Sequence, residues 1–311
     1  MKEEQLIFIV SQPRAGSTYL QNLLSNNKEV NTCSEPWILL NFANQIKPEL
    51  VETKFENDLG NQAFHLYKKK YKNFDFEQKQ KEYLLSLYSP MIEGFNFVVD
   101  KTPRYWEIID EIALLFPKSK IIVLKRNPLD VIKSMVHTWD LNTIEKLSVF
   151  KRDILLAPRK LQEFCVSQKN NLNVLEVSYE SLINKTNNEG EKIYNWLGVA
   201  YNKDVLDISK NTKYKGVFGD PYQNQFKVQN IVTKKGGNPS LNKYFSAFLN
   251  GYTHFLGVDF LKSYGDYNIV VSEKKMNSFK KFQNYKNVME KDFNKWNWHY
   301  INGLFSRRKF N

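Results

Sequence analysis

The sequence predicts an α/β domain of three layers, a central parallel β-sheet flanked by helices on both faces. Two observations carry this. Twice, at residues 6–24 and again at 120–137, an apolar run of strand length gives way to a turn and then to apolar residues at helical spacing. Two further short extended segments, residues 95–100 and 173–178, keep strands and helices alternating, which is the pattern of a parallel sheet. Ligands of such sheets bind beyond the carboxyl ends of the strands, so polar and charged residues at those ends become the candidates for function.

Along the chain, Ile7, Phe8, Ile9 and Val10 form a buried strand, Pro13 and Gly16 mark a tight turn, and Leu20, Leu23 and Leu24 share a helix face. A strand-to-helix junction leaves the first helical amides unpaired at the positive end of the dipole, and Gly16 lets a ligand approach the backbone. Arg14, Ala15, Gly16, Ser17 and Thr18 therefore predict an anion cradle. The Gly-x-x-x-x-Gly-Lys-Ser/Thr spacing is absent, and the basic residue precedes the glycine. The competing possibility is an ordinary first strand and helix in which Gly16 only makes the turn.

Residues 30–37 are extended, and Pro36 biases Glu35 away from helix, at the exit of a second strand. Residues 37–94 form a helical insertion crowded with Lys, Tyr and Phe, expected to cover the sheet edge and border an acceptor cleft. A strand over 95–100 runs into Lys101, Thr102 and Pro103, and a helix follows over 105–116. Strand 120–126 ends at Arg126, and Pro128 opens a helix over 129–137. Residues 141–168 read as one or two helices, with Pro158 as a kink or break. After strand 173–178, an amphipathic helix ends at Gly198, a C-cap. Residues 203–239 have little periodicity and predict a functional loop. A helix follows over 241–256, then a strand at 267–271 and a basic, aromatic helix near 274–300. Without internal repeats or low-complexity linkers, the expectation is one domain over 1–256 and a C-terminal extension, 257–311, packed on it.

The formal net charge is +12, from 45 basic and 33 acidic residues, which favours anionic partners: a nucleotide, a sulfated or phosphorylated sugar, nucleic acid or a membrane surface. Part of the excess sits in Lys68, Lys69 and Lys70, where a solvated face is the simplest explanation. No apolar run approaches the roughly 18 residues of a membrane span, and charged residues lead directly into the first strand. A soluble cytoplasmic chain is the expectation. Cys33 and Cys165 lack metal-ligand spacing and basic neighbours, consistent with a reducing compartment and no thiol chemistry.

Four pieces in order resemble the PAPS-dependent sulfotransferases, whose donor is 3′-phosphoadenosine 5′-phosphosulfate: Pro13-Arg14-Ala15-Gly16-Ser17-Thr18, Asp100-Lys101-Thr102-Pro103, the block from Arg126 to Ser134, and Val177-Ser178-Tyr179-Glu180-Ser181-Leu182. The resemblance implies a P-loop-like fold. It implies that the first loop binds the 5′-phosphosulfate, and that Arg126 and Ser134, eight residues apart, bind the 3′-phosphate. Arg126 supplies a donor fork suited to phosphate oxygens and Ser134 a hydroxyl; otherwise Arg126 is a helix-capping or surface residue. Glu35 resembles the general base of tyrosylprotein sulfotransferases, 21 residues beyond Arg14. Lys101 resembles the lysine that faces the bridging oxygen and the transferred group, its alternative being a solvated charge at a helix start. Arg14 shares that role.

Tyr179 resembles a nucleotide-contacting position, with core packing as its alternative. Lys234, like Lys227 and Lys235, is a candidate for closing over the donor. The Arg-Lys-Gly motif of cytosolic steroid and phenol sulfotransferases is missing. His65 is the second choice for a base, and the scheme requires no metal. Trp37, Phe42, Tyr67 and Trp139 are candidates for acceptor walls. The expected acceptor is a carbohydrate or glycolipid hydroxyl, ahead of a phenol or peptidyl tyrosine, and nucleic acid is not an expected partner. A P-loop kinase and a basic nucleic-acid-binding protein are the rivals; the first lacks a Lys-Ser/Thr after Gly16, and the second would show steep salt dependence.

Overall fold

Strand β1, Leu6–Ser11, is buried at every position, and its side chains serve two cores at once. Leu6, Phe8 and Val10 point into one cluster with Val98, Ile121, Val123, Ile112 and Leu161, while Ile7 and Ile9 point into another with Leu20, Leu24, Val99, Ile122 and Leu124. A strand covered on both faces needs an unbroken apolar run, which is why periodicity of two is absent there. The computed structural model describes residues 1–141, 146–147, 149–207, 243–265 and 267.

The sheet is parallel throughout, in the order β2-β3-β1-β4-β5, with β2 at Val30–Thr32, β3 at Phe97–Lys101, β4 at Lys120–Lys125 and β5 at Val174–Ser178. The ladder pairs Ile9 with Lys101, Ser11 with Leu124 and Lys125 with Ser178, so the carboxyl ends of neighbouring strands lie side by side. Helix α1, Ser17–Ser25, leads from β1 toward β2. Two helices, α2 at Asn57–Lys70 and α3 at Phe76–Ser86, belong to the insertion before β3.

A 3₁₀ segment, Pro103–Ile108, then precedes α4, Ile109–Leu115, where one continuous helix was expected. Pro103 starts that segment, and Tyr105, Trp106 and Ile108 are all buried by its tighter winding. Helix α5, Pro128–Trp139, follows β4, and α6, Ala157–Ser167, carries Pro158 in its first turn. Pro158 therefore opens a helix instead of kinking one, since a first-turn proline has no amide to lose. After β5 come α7, Tyr179–Asn184, and α8, Thr186–Leu197, which Gly198 terminates in the left-handed region at φ 75°.

Helices α9, Lys243–Leu256, and α10, Val258–Tyr264, pack with α5 in a third cluster of Val131, Met135, Phe248, Tyr252 and Leu261 that also includes Ala15. The predicted segments at 208–242 and 268–311 lie outside the described residues. Among the described residues, no helix is long and apolar enough to cross a membrane.

Helix α8 is fastened to α1 by a single buried hydroxyl: Tyr194 donates to the carbonyls of Leu23 at 2.8 Å and Leu24 at 3.2 Å. Both are last-turn carbonyls of α1, and the Leu24 carbonyl also accepts from the Asn27 amide at 3.2 Å. Tyr194→Phe should lower unfolding free energy by about 1 kcal/mol without altering the fold, read from the urea midpoint at constant m.

Candidate active site

Every strand delivers a candidate to the carboxyl edge of the sheet. Lys101 ends β3, Arg126 and Tyr179 follow the last residues of β4 and β5, residues 14–16 lie in the loop from β1 to α1 with Ser17 and Thr18 opening that helix, and Glu35 stands just beyond β2.

The loop after β1 turns tightly. Ala15 N–H donates to the Gln12 carbonyl at 3.1 Å, and Arg14 (φ 70°) and Gly16 (φ 98°) both occupy the left-handed region. That conformation is costly for arginine, and a second strand end holds it: the Arg126 Nη1 donates to the Arg14 carbonyl at 3.0 Å. Gly16 is demanded twice, by its φ and by the Tyr179 ring, which a Cβ at this position would approach to 2.3 Å. The Arg126 guanidinium lies over the same ring at 4.4 Å from its centroid. Gly16 N-caps α1 without any side-chain cap, and its carbonyl accepts from the Tyr19 and Leu20 amides, so the Ser17 and Thr18 amides at the helix start are not used by a side-chain cap.

Lys101 is completely buried, which overturns the alternative of a solvated helix-start charge. Its Nζ lies 2.7 Å from Glu35 Oε1 and 3.4 Å from Thr18 Oγ1, so one ammonium joins the ends of β2 and β3 to the start of α1. The Glu35 side chain keeps 16% of its surface exposed. The cation is thus sheltered, and the carboxylate is the partner that faces solvent.

The turn carrying Glu35 hangs from Asp100. Trp37 N–H donates to Thr102 Oγ1 (3.3 Å) and Leu39 N–H to the Tyr105 hydroxyl (2.9 Å); both hydroxyls then donate to the Asp100 carboxylate at 2.8 Å. Tyr88 supplies a third hydroxyl at 2.7 Å. Burial pushes the Asp100 carboxyl up to about 6 despite these three donors. The same burial, with Asp100 beside them, raises the Tyr88 and Tyr105 hydroxyls. On the other side of β2, Gln21 Nε2 donates at 2.7 Å to both Thr32 Oγ1 and the Cys33 carbonyl.

A second buried carboxylate, Asp153, takes Arg104 at 2.9 Å and the Trp106 indole at 2.9 Å, and its backbone carbonyl accepts from Gln12 Nε2 at 2.8 Å. Arg104 is thereby held 5.5 Å from the Trp37 and Phe150 ring centroids. Phe150 stacks on Trp139 at 4.5 Å, and Arg14 lies 5.7 Å from Trp139. Trp37, Arg104, Phe150, Trp139 and Arg14 make a half-buried row of planar groups linking the Glu35 turn to the first loop.

Ser134 sits half-buried near the middle of α5. Phe42 packs against Tyr83, and Tyr67 lies in an exposed aromatic cluster of α2, so neither belongs to the planar row. His65 and His137 are exposed on α2 and α5. Burial raises the thiols of Cys33 and Cys165 to about 11 and about 12, against a role as nucleophiles. Lys227, Lys234 and Lys235 lie outside the described residues. Sequence reasoning passed over Asp100, although it stands in the Lys101 motif, and Arg104, Phe150 and Asp153, which carry no local signal.

A parallel sheet with anion-directed loops on adjacent strand ends defines a nucleotide-type α/β site. The sulfotransferase family model matches residues 6–203, more than half of the chain, and the chain belongs to that family. Nodulation protein NoeE of Sinorhizobium fredii (strain NBRC 101917 / NGR234) is 26% identical over 144 residues, 43% of this chain and 32% of NoeE. The chain therefore spans about a third of that relative's length, and about a sixth of that of a second, from Aquifex aeolicus. A Caenorhabditis briggsae protein, "Putative protein-tyrosine sulfotransferase", is 22% identical over 91% of this chain and 98% of its own. Among solved structures, the sulfotransferase domain from the curacin biosynthetic pathway aligns with a TM-score of 0.49 and 22% identity, over 71% of this chain and 85% of that one.

An acid whose pKa is raised by folding contributes stability that is present below the unfolded value, near 4, and lost as pH rises through the folded value. For Asp100 that window runs from about pH 4 to about 6. Asp100→Asn cannot ionise, so the melting temperature of the variant minus that of wild type should be several degrees more positive at about pH 7 than at about pH 4.5. A difference independent of pH would show that this carboxyl does not titrate in that window.

Proposed function

We propose that this chain is an O-sulfotransferase that moves a sulfuryl group from PAPS to a sugar hydroxyl and releases 3′-phosphoadenosine 5′-phosphate. The observation that carries it is the coupling of two anion-directed strand ends through the bond from Arg126 to the Arg14 carbonyl. A nucleotide charged at both its 3′ and 5′ positions uses both ends, and a singly charged one uses only the first.

The residues present suit this donor. The first-turn amides of α1 and Lys101 face the 5′ end, and Arg126 with Ser134 is assigned the 3′-phosphate. The donor supplies a sulfuryl group on a phosphate leaving group. The acceptor oxygen forms the new bond to sulfur as the bond from sulfur to the phosphate oxygen breaks, and the acceptor proton passes to Glu35. Lys101 then neutralises charge growing on the leaving oxygen, a contribution larger in the transition state than before it. Glu35 and Lys101 begin as an ion pair at 2.7 Å. An anion arriving beside Lys101 takes over part of that pairing and frees the partly exposed carboxylate for the incoming hydroxyl.

A sugar acceptor is favoured by the half-buried row of Trp37, Arg104, Phe150 and Trp139, which offers flat apolar faces edged by cations. A peptidyl tyrosine is the second possibility, favoured by the end-to-end match with the Caenorhabditis briggsae protein.

In calorimetry, 3′-phosphoadenosine 5′-phosphate should bind at least about tenfold tighter than ADP, roughly 1.4 kcal/mol, and Arg126→Ala should remove that preference. Equal affinities in wild type would overturn the donor assignment. With radiolabelled donor and a panel of sugar, phenol and tyrosyl-peptide acceptors, Glu35→Gln should retain donor affinity while kcat falls by about 10²-fold or more. Unchanged turnover would move the base to another residue.

A further inference from the structure

Helix α2 is amphipathic but turned inside out. At 100° per residue, Leu59, Ala63 and Leu66 share one side and Asn57, Asn61 and Lys68 the opposite one. A surface helix ordinarily buries its apolar side. Here Asn57, Asn61 and Lys68 are the partly covered residues, none is buried, and Leu59, Leu66 and Tyr67 are 64%, 65% and 51% exposed. The apolar surface continues through the turn into α3: Tyr67 and Tyr71 lie 4.7 Å apart, Tyr67 and Phe76 5.8 Å, and Phe74 and Phe76 4.8 Å, with Tyr71 and Phe74 themselves exposed.

Charge selects the occupant. From Leu59 to Phe74 there are four lysines, Lys68, Lys69, Lys70 and Lys72, and no Asp or Glu. A second copy of this face would set lysines against lysines, whereas a surface that is anionic outside and apolar beneath complements both features. Lys70, Tyr71, Lys72, Asn73 and Phe74 also frame a shallow hollow at the turn, of a composition suited to a phosphate headgroup. We infer that the α2–α3 hairpin docks this protein peripherally on an anionic lipid bilayer, with Leu59, Leu66 and the ring cluster entering the interface and Lys69, Lys70 and Lys72 reaching the headgroups.

The test is co-sedimentation of the full chain with vesicles of phosphatidylcholine alone or with about 30% phosphatidylglycerol, at several salt concentrations. Binding should be at least about tenfold stronger on the anionic vesicles. The double variant Leu59→Ser/Leu66→Ser and the triple variant Lys69→Glu/Lys70→Glu/Lys72→Glu should each weaken it about fivefold or more, with calorimetric affinity for 3′-phosphoadenosine 5′-phosphate unchanged. None of these side chains is buried, so the variants should fold, which circular dichroism verifies. Equal binding to neutral vesicles would overturn the inference. So would wild-type vesicle binding by the serine variant, since adsorption through overall charge would then suffice. Loss of a dimer in sedimentation equilibrium on the serine substitutions, without vesicle binding by wild type, would assign the face to a second copy instead.

Discussion

The site depends on an ammonium that cannot reach water. Lys101 closes an interior strand with its charge fully covered, and a buried cation persists only beside an anion and hydrogen-bond acceptors. Glu35 and Thr18 meet that demand from two other elements. The positions of the β2 exit and the α1 start are therefore consequences of the same electrostatic requirement. The Lys101 cation has already lost its hydration and is held by Glu35 and Thr18 in its place.

Much of the architecture was legible because the periodicities were clear. The unbroken run of β1, the Pro128 start of α5 and the Gly198 stop of α8 each have a local cause, and the structure has these features where the sequence places them. Register and strand order were less accessible, since they follow from how helices cover each face. The winding of residues 103–108 was misjudged for a related reason: its 3₁₀ geometry serves the burial of Tyr105, Trp106 and Ile108, a tertiary demand.

At the carboxyl edge of the sheet, the sequence marks the residues that end strands and leaves unmarked those that brace them. Arg14, Glu35, Lys101, Arg126 and Tyr179 announce themselves by standing after apolar runs. Asp153 lies 141 residues from the Gln12 side chain that donates to its carbonyl, and nothing in its neighbourhood marks it. The same holds for Tyr88, whose hydroxyl reaches Asp100 from the far end of the insertion. Such supports are set by three-dimensional closure, and their polar character is the cost of holding loops where secondary structure gives no hydrogen bonds.

The Glu35 turn is suspended by main-chain amides of Trp37 and Leu39, and the Arg14 loop by a main-chain carbonyl. Such attachments do not depend on which side chains those positions carry. The side chains of residues 36–39 can therefore change over evolutionary time while the Glu35 carboxylate stays in register with its lysine. Variation in the outer side chains of that turn is thereby separated from the position of its ion pair.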